Sequence, residues 1–265
     1  MIRSLLFRGL RQHAALLGVL SLGLFLFEWA LIWVAARIDM GPGFLQWLQA
    51  MLPGDVAESI FGQFGFASFA GTVSFGFQHP FALVASIAAV VVMATLPAAE
   101  REEGLLDLIL SRPVPRSRYL GAMATLVMFA AILSPLALLA GSGLGLAVVD
   151  VPQGVSWLDY LPSAAALALL LMAVGAYALL LGTDARRRGR AVAQVVGLTL
   201  LFYWLDFLGD YWDALETARL LSPFHYFDPA RAASTGIPER DLWVLGGITV
   251  LCTLGAFLNF RNQDL

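Results

Sequence analysis

Long apolar runs separated by short charged stretches dominate the chain. The runs cover about residues 14–36, 80–97, 119–149, 161–181, 191–208 and 242–260. Each run has roughly the twenty residues that an α-helix needs to cross a ~30 Å hydrocarbon core. The pattern predicts an all-α integral membrane protein with six transmembrane helices, forming a single transmembrane domain over residues 1–265.

The segments outside these runs predict helices that lie along the membrane. Residues 1–13 place arginines on one side of a helical wheel and apolar residues mainly on the other, which predicts an N-terminal amphipathic interfacial helix. In residues 38–79 we expect an amphipathic helix at the outer interface, followed by a re-entrant or surface-hugging segment over residues 61–77. In residues 206–240, before the sixth span, we expect short re-entrant or interfacial helices.

Composition supports a membrane protein and argues against enzyme classes. Apolar residues make up 59% of the chain, charged residues only 13%, and the mean hydropathy is +0.78. All sixteen basic residues are arginine, so the chain lacks the lysine that a P-loop ATPase requires. The lone Cys252 and three widely separated histidines give no metal-ligand spacing. We therefore expect no enzyme activity, metal site or bound cofactor in this chain, and no nucleic-acid partner.

The arginines are distributed unequally between the two sides of the predicted bundle. Twelve of the sixteen lie on one side, in residues 1–13, the 100–118 loop, the 183–190 loop and the C-terminal end. Four lie on the opposite side, together with twelve of the nineteen carboxylates. The positive-inside rule therefore predicts that both termini and these two loops are cytoplasmic.

Two features break the expected pattern and are candidate functional sites. The loop 100–118 carries an almost wholly apolar helical turn, Leu105–Leu110, among charged residues, which indicates burial against a separate protein. Glu28 lies inside the first span, where an unpaired carboxylate is costly. With Trp29 and Trp33 it is a candidate for the wall of a translocation path, and structural pairing of Glu28 is an equally supported interpretation.

The stretch Ala99–Ala122 resembles the first cytoplasmic loop of permease subunits of type-2 ABC exporters. The matching residues are Glu102, Glu103 and Gly104, the short helix that follows them, and then Arg112 and Pro113. Further matches are the six spans, the motif SPFHYFDP at residues 222–229 and the C-terminal Phe260, Arg261, Asp264 and Leu265.

This resemblance implies a permease that works with a separate cytosolic ABC ATPase, which binds the ATP and Mg. The loop helix would be a coupling helix, with the docking residues Glu102, Glu103, Gly104, Leu105, Leu106, Leu108, Ile109, Arg112 and Pro113. A second permease copy, identical or closely related, and the lipid bilayer are the other implied partners. The implied location is the cytoplasmic membrane of a prokaryote, and the implied substrate is a lipid-like, peptide or drug-like molecule moved outward.

A second function remains open at this point. The long acidic outer segments 38–79 and 206–240 would suit a membrane scaffold or mechanotransmitter that relays ATPase motion to an outer partner protein without passing a substrate. A six-span secondary transporter is a third possibility, and the lack of an evident inverted repeat counts against it.

Overall fold

The computed structural model describes residues 2–37, 69–111, 115–149 and 155–263. These residues form α-helices joined by short turns and contain no β-strand. In chain order the helices are α1 (Ile2–Ala35), α2 (Phe69–Gln78), α3 (Pro80–Ala94), α4 (Leu96–Glu102), α5 (Leu105–Leu110), α6 (Arg116–Val148), α7 (Leu161–Asp184), α8 (Arg188–Gly209), α9 (Pro229–Thr235) and α10 (Glu239–Asn262).

Six helical segments in the described part are long and apolar enough to span a membrane. They are Ser4–Ala35, Phe69–Ala94, Arg116–Val148, Trp157–Asp184, Arg188–Gly209 and Glu239–Asn262. The predicted all-α class and the six spans are confirmed. The chain is therefore a multi-pass membrane protein.

Helices α6 and α7 form the centre of the bundle, with α3 packed against both. Helix α1 covers α6 on one side, and α10 covers α7 on the other. Gly182 of α7 permits the closest approach to α3, because a Cβ at this position would lie 2.5 Å from the Ala94 carbonyl oxygen. Helix α8 is less enclosed, and most of its apolar surface faces outward.

Small residues bring α1 and α6 into close contact. A Cβ on Gly141 would meet the backbone carbonyl of Phe25, and a Cβ on Gly145 would lie 2.9 Å from the Ile32 Cδ1 atom. The GxxxG spacing in α6 therefore faces a neighbouring helix, as this spacing permits. Helix α6 remains regular through these glycines.

The prediction of a separate interfacial helix at residues 1–13 is wrong. Helix α1 runs without a break from Ile2 to Ala35, so the basic first turns continue into the first span. The physical reason is that the bundle supplies partners for these turns. Arg8 forms an ion pair with Glu100, and Gly9 packs against Leu126 of α6.

Residues 69–78 also differ from the sequence prediction. They form α2, whose Val73, Gly76 and Phe77 are buried inside the bundle, so this part of the expected surface-hugging segment is interior. The His79 Nδ1 atom accepts a hydrogen bond from the Phe81 amide at 3.2 Å, and the span continues into α3. The amphipathic helix expected in residues 38–60 lies outside the described residues.

The segment before the last helix is built from short helical turns, as its sequence indicates. Three 3-10 turns, Asp213–Leu215, Ala218–Leu221 and Pro223–Tyr226, precede α9. They lie at the end of the bundle where α8 finishes and α10 begins. We call this the acidic end, and we call the opposite end, which carries Arg8, Arg101, Arg116 and the start of α8, the arginine-rich end.

Candidate functional site

The helix α5 is held at the arginine-rich end by a two-step corner in the chain. Helix α3 ends at Ala94, and Pro97 lies in the first turn of α4, where its missing N–H costs nothing. Gly104 then adopts φ +70°, a left-handed conformation that favours glycine, and α5 begins at the next residue. The corner sets α5 across the end of the bundle.

The apolar residues of α5 divide between two faces. Leu106 is fully buried within this chain, and Ile109 and Leu110 pack partly against the same core. Leu108 points away and is 65% exposed. The expectation that Leu106 belongs to a partner-binding face is therefore wrong, because residues 106, 109 and 110 share the helix face that contacts the bundle.

The other predicted docking residues differ in their exposure and contacts. Glu103 and Gly104 are exposed, and Leu105 is partly exposed. The Glu102 carboxylate accepts a hydrogen bond from the Arg188 amide at 2.9 Å, which links the corner to the start of α8. Arg112 and Pro113 lie outside the described residues.

A partly buried ion pair links this corner to α1. Glu100 is 7% exposed, its Oε1 atom pairs with Arg8, and its Oε2 atom accepts a hydrogen bond from the Tyr119 hydroxyl at 2.6 Å. Because Tyr119 is also buried and stacks on Phe260, the contact joins α1, α4, α6 and α10. Glu100 is thus an internal support rather than part of the exposed charged loop.

A second set of hydrogen bonds ties the corner to the C-terminal end of α10. The Arg101 guanidinium donates to the carbonyl oxygens of Thr183 and Ala185 at 3.0 and 3.2 Å, and to the Gln263 side-chain oxygen at 2.5 Å. Arg116 donates to the Gln263 carbonyl oxygen at 2.6 Å. Hydrogen bonds and an ion pair therefore join several helices at the arginine-rich end. We call this non-covalently linked end, which carries the exposed Leu108, the cross-linked platform.

Glu28 lies inside the bundle, in contact with α2 and α6. It is fully buried, and its Oε1 atom accepts a hydrogen bond from the Ser142 hydroxyl at 3.2 Å. Gly76 packs directly on its carboxylate, so that a Cβ on that glycine would collide with Oε2. Oε2 has no hydrogen-bond partner among the described residues.

Trp29 and Trp33 do not share the environment of Glu28. Trp29 is partly buried, whereas Trp33 is 38% exposed and carries the Arg37 guanidinium 3.8 Å from its ring centroid. The three residues proposed for one translocation wall therefore occupy two faces of α1. In this structure they are not brought together.

A groove between α3 and α8 was not found by sequence reasoning. It has a volume of about 490 Å³, and its walls are formed mainly by aliphatic side chains, including Leu83, Val84, Val91, Val196 and Leu200. Such residues look the same in sequence whether they face lipid, a groove or a neighbouring helix. Phe224, within the motif at residues 222–229, is a wall residue from a stretch that the sequence analysis singled out.

Six apolar helices, a hydrogen-bonded end with the exposed Leu108 and a lateral groove define a multi-pass helical membrane protein. The chain belongs to the family described as "Multidrug efflux system permease Rv1217c, C-terminal domain", whose model matches residues 10–261. No curated protein sequence matches the chain. Membership in this family gives the chain a transport role as a membrane permease.

Proposed function

We propose that the chain is the permease subunit of an ATP-driven exporter, coupled through α5 to a separate cytosolic ABC ATPase. The observation that carries this proposal is Leu108, a leucine 65% exposed on a short helix that is otherwise anchored in the bundle. An apolar side chain held out from a rigid, arginine-rich platform is suited to insertion into a groove on a partner. The exposed Glu103 and Gly104 form its rim, and Arg112 and Pro113 complete the motif.

The cross-linked platform gives this docking helix a means to transmit movement. Arg101 joins the α4–α5 corner to the end of α7 and to Gln263 after α10. Glu100 joins the same corner to α1 and α6. A movement of α5 would therefore be transmitted to several spans together, as coupling to ATP hydrolysis requires.

The groove between α3 and α8 is the proposed location for transported molecules. Its apolar walls and volume of about 490 Å³ suit the apolar part of a drug-sized molecule. The family description, a multidrug efflux permease, supports outward transport of such molecules. Glu28 contributes to helix packing in this proposal, because Gly76 and Ser142 enclose its carboxylate.

A docking experiment tests the proposal. The permease is co-expressed with the ATPase encoded beside its gene, purified through a tag on the permease, and assayed for bound ATPase. Leu108→Asp is expected to lose at least about tenfold in captured ATPase, since a charge replaces an apolar contact. Leu108→Met, which keeps the apolar contact at the same position, is expected to retain capture.

The two variants also separate docking from folding. Because Leu108 is largely exposed, both variants should keep the elution volume and thermal stability of the parent protein. Capture of the ATPase by Leu108→Asp at the parent level would contradict docking through α5.

A further inference from the structure

The apolar groove lies next to a second cavity with charged walls at the acidic end. This cavity has a volume of about 330 Å³, and Leu83, Tyr203 and Phe224 line both spaces. One molecule could therefore occupy both, with an apolar part between α3 and α8 and a polar part at the acidic end. We call the second cavity the head pocket.

The charged side chains of the head pocket form one close ion pair, between Arg219 and Asp210, and two longer contacts around Asp206. The Asp206 Oδ1 atom lies 3.5 Å from both the Arg219 Nε atom and the His225 Nδ1 atom, which is too far for good hydrogen bonds. Arg219 directs its Nη1 atom to Asp210 instead. Three atoms of this cluster are buried and have no hydrogen-bond partner among the described residues, namely Asp206 Oδ1, Arg219 Nε and His225 Nδ1.

A fourth buried atom without a partner, Gln78 Nε2, belongs to a residue that lines the same pocket. Buried polar atoms are normally paired, so Gln78 Nε2 and the three loosely paired atoms around Asp206 leave hydrogen-bonding capacity on the lining of one cavity that another molecule can use. Three of these four atoms come from elements far apart in sequence, α2, α8 and the turn Pro223–Tyr226. The fold itself brings these groups together.

The net charge of the residues that line the head pocket indicates which kind of ligand it can bind. Asp206, Asp210 and Asp228 supply three carboxylates, against the single guanidinium of Arg219 in the lining. Burial, and next to it the positive charge of Arg219, lower the pKa of the His225 imidazole and so disfavour its charged form. Arg240 lies outside the lining, 5.1 Å from the Tyr226 ring centroid. The pocket is negative overall and would repel an anion.

The remaining walls favour an organic cation over a metal ion. Within the described residues, no group of three or more His, Cys, Asp or Glu side chains could hold a metal ion. The pocket is lined instead by aromatic rings, including Tyr203, Phe207 and Phe227. Aromatic faces attract ammonium-type cations and also accommodate apolar substituents around the charge.

We propose that the head pocket and the groove together bind an amphipathic organic cation, with its charge beside Asp206 and its apolar body between α3 and α8. This proposal deepens the proposed transport function and names its substrate class. Arg219 and His225 position the Asp206 carboxylate, and Gln78 offers a hydrogen bond to polar atoms of the ligand.

Binding of a matched pair of ions tests the proposal. The full chain is reconstituted in lipid nanodiscs without any ATPase, and saturable binding is measured relative to empty nanodiscs. Tetraphenylphosphonium is the cationic probe, and tetraphenylborate, of nearly the same shape, is its anionic counterpart. We expect saturable binding of the cation, and binding of the anion at least about tenfold weaker.

Substitutions locate the binding site. Asp206→Asn keeps the shape of the side chain but removes its charge, and is expected to weaken binding of tetraphenylphosphonium about tenfold or more. Asp213→Asn is the control, because Asp213 is an exposed carboxylate of the same outer segment and does not line the pocket. Val84→Trp, which fills the groove, is expected to reduce binding without changing any charge.

Three results would overturn the proposal. They are absence of saturable binding of the cation, equal binding of the two ions, and equal loss in the Asp206→Asn and Asp213→Asn variants. The first result would be expected if lipid chains or a second copy of the chain fill the groove. Because no ATPase is present, failure here is distinguishable from failure of ATPase docking, which the Leu108 variants measure separately.

Discussion

Two polar clusters at opposite ends of the bundle, one around Glu100 and Arg101 and one around Asp206, differ in how closely their side chains are paired. At the arginine-rich end, Glu100 and Arg101 make hydrogen bonds of 2.5–3.2 Å to groups on other elements, although the Arg101 Nε atom is an exception without a partner. At the acidic end, Asp206 lies 3.5 Å from two possible partners and bonds neither closely. Polar groups with close hydrogen-bond partners hold helices together, and we call the Glu100 and Arg101 cluster the frame for this reason. Buried polar groups without close partners on the wall of a cavity are instead available to bind another molecule.

This difference also separates the two proposed roles in space. The frame at the arginine-rich end presents α5, the proposed docking helix, and the cluster around Asp206 at the acidic end faces a cavity. ATP-driven transport needs a firmly held site that receives the movement of the ATPase. It also needs a site that can bind and release a substrate. If this contrast holds, substitutions in the frame should lower the free energy of unfolding more than substitutions in the acidic cluster.

The largest effect is expected at Glu100. Glu100→Ala leaves the buried Tyr119 hydroxyl and the partly exposed Arg8 without their shared partner, which should lower the free energy of unfolding by about 2–3 kcal/mol. Chemical denaturation of the detergent-solubilised protein measures this loss. Asp206→Asn at the acidic end should cost less than about 1 kcal/mol, because its contacts are long and partly exposed. Equal losses at the two ends would remove the contrast between them.

Much of this fold follows from the sequence because a bilayer imposes simple lengths and polarity. The six apolar runs predict six spans, and the segregation of arginines correctly groups the N terminus with the loops before α6 and α8. These features depend on residue type alone. The membrane side on which each end lies remains a prediction.

Other features depend on contacts that residue type does not reveal. Leu106 and Leu108 are both leucines in an apolar turn, yet one is buried and the other is 65% exposed, because only the first faces the bundle. Arg219 approaches Asp206 through a series of 3-10 turns, which carry no hydrophobic periodicity. The head pocket therefore could not be derived from spacing, although its aromatic and acidic composition is visible in the sequence.

A moderate effect is expected where the carboxylate of Glu28 is packed. Gly76→Ala places a methyl group into that carboxylate and should lower the free energy of unfolding by about 1–3 kcal/mol. Glu28→Gln keeps the volume and the Ser142 contact, so stability should change by less than about 1 kcal/mol and transport should be retained. Loss of transport by Glu28→Gln, with the fold intact, would instead place Glu28 in the translocation path.

The smallest effect concerns the pH dependence of stability at the acidic end. The pKa of His225 is lowered in the folded protein by burial and by Arg219, against the opposing charge of Asp206, so the unfolded chain binds the proton more readily. Stability should therefore fall as the pH drops below 6.5, the ordinary value for histidine. His225→Gln should flatten this slope in thermal melts between about pH 7.5 and 5.5. An unchanged slope would exclude His225 as its source.

Site-specific cross-linking at Leu108 tests the central claim most directly. The sole natural cysteine is replaced by Cys252→Ser, and Leu108→Cys is labelled with a benzophenone maleimide before the ATPase is added, with irradiation after the complex has assembled. Val250→Cys, on the exposed face of α10, is the matched control at another accessible apolar position. The account predicts a cross-link to the ATPase from position 108 and none from position 250. Absence of a cross-link from position 108, or equal cross-links from both, would contradict it.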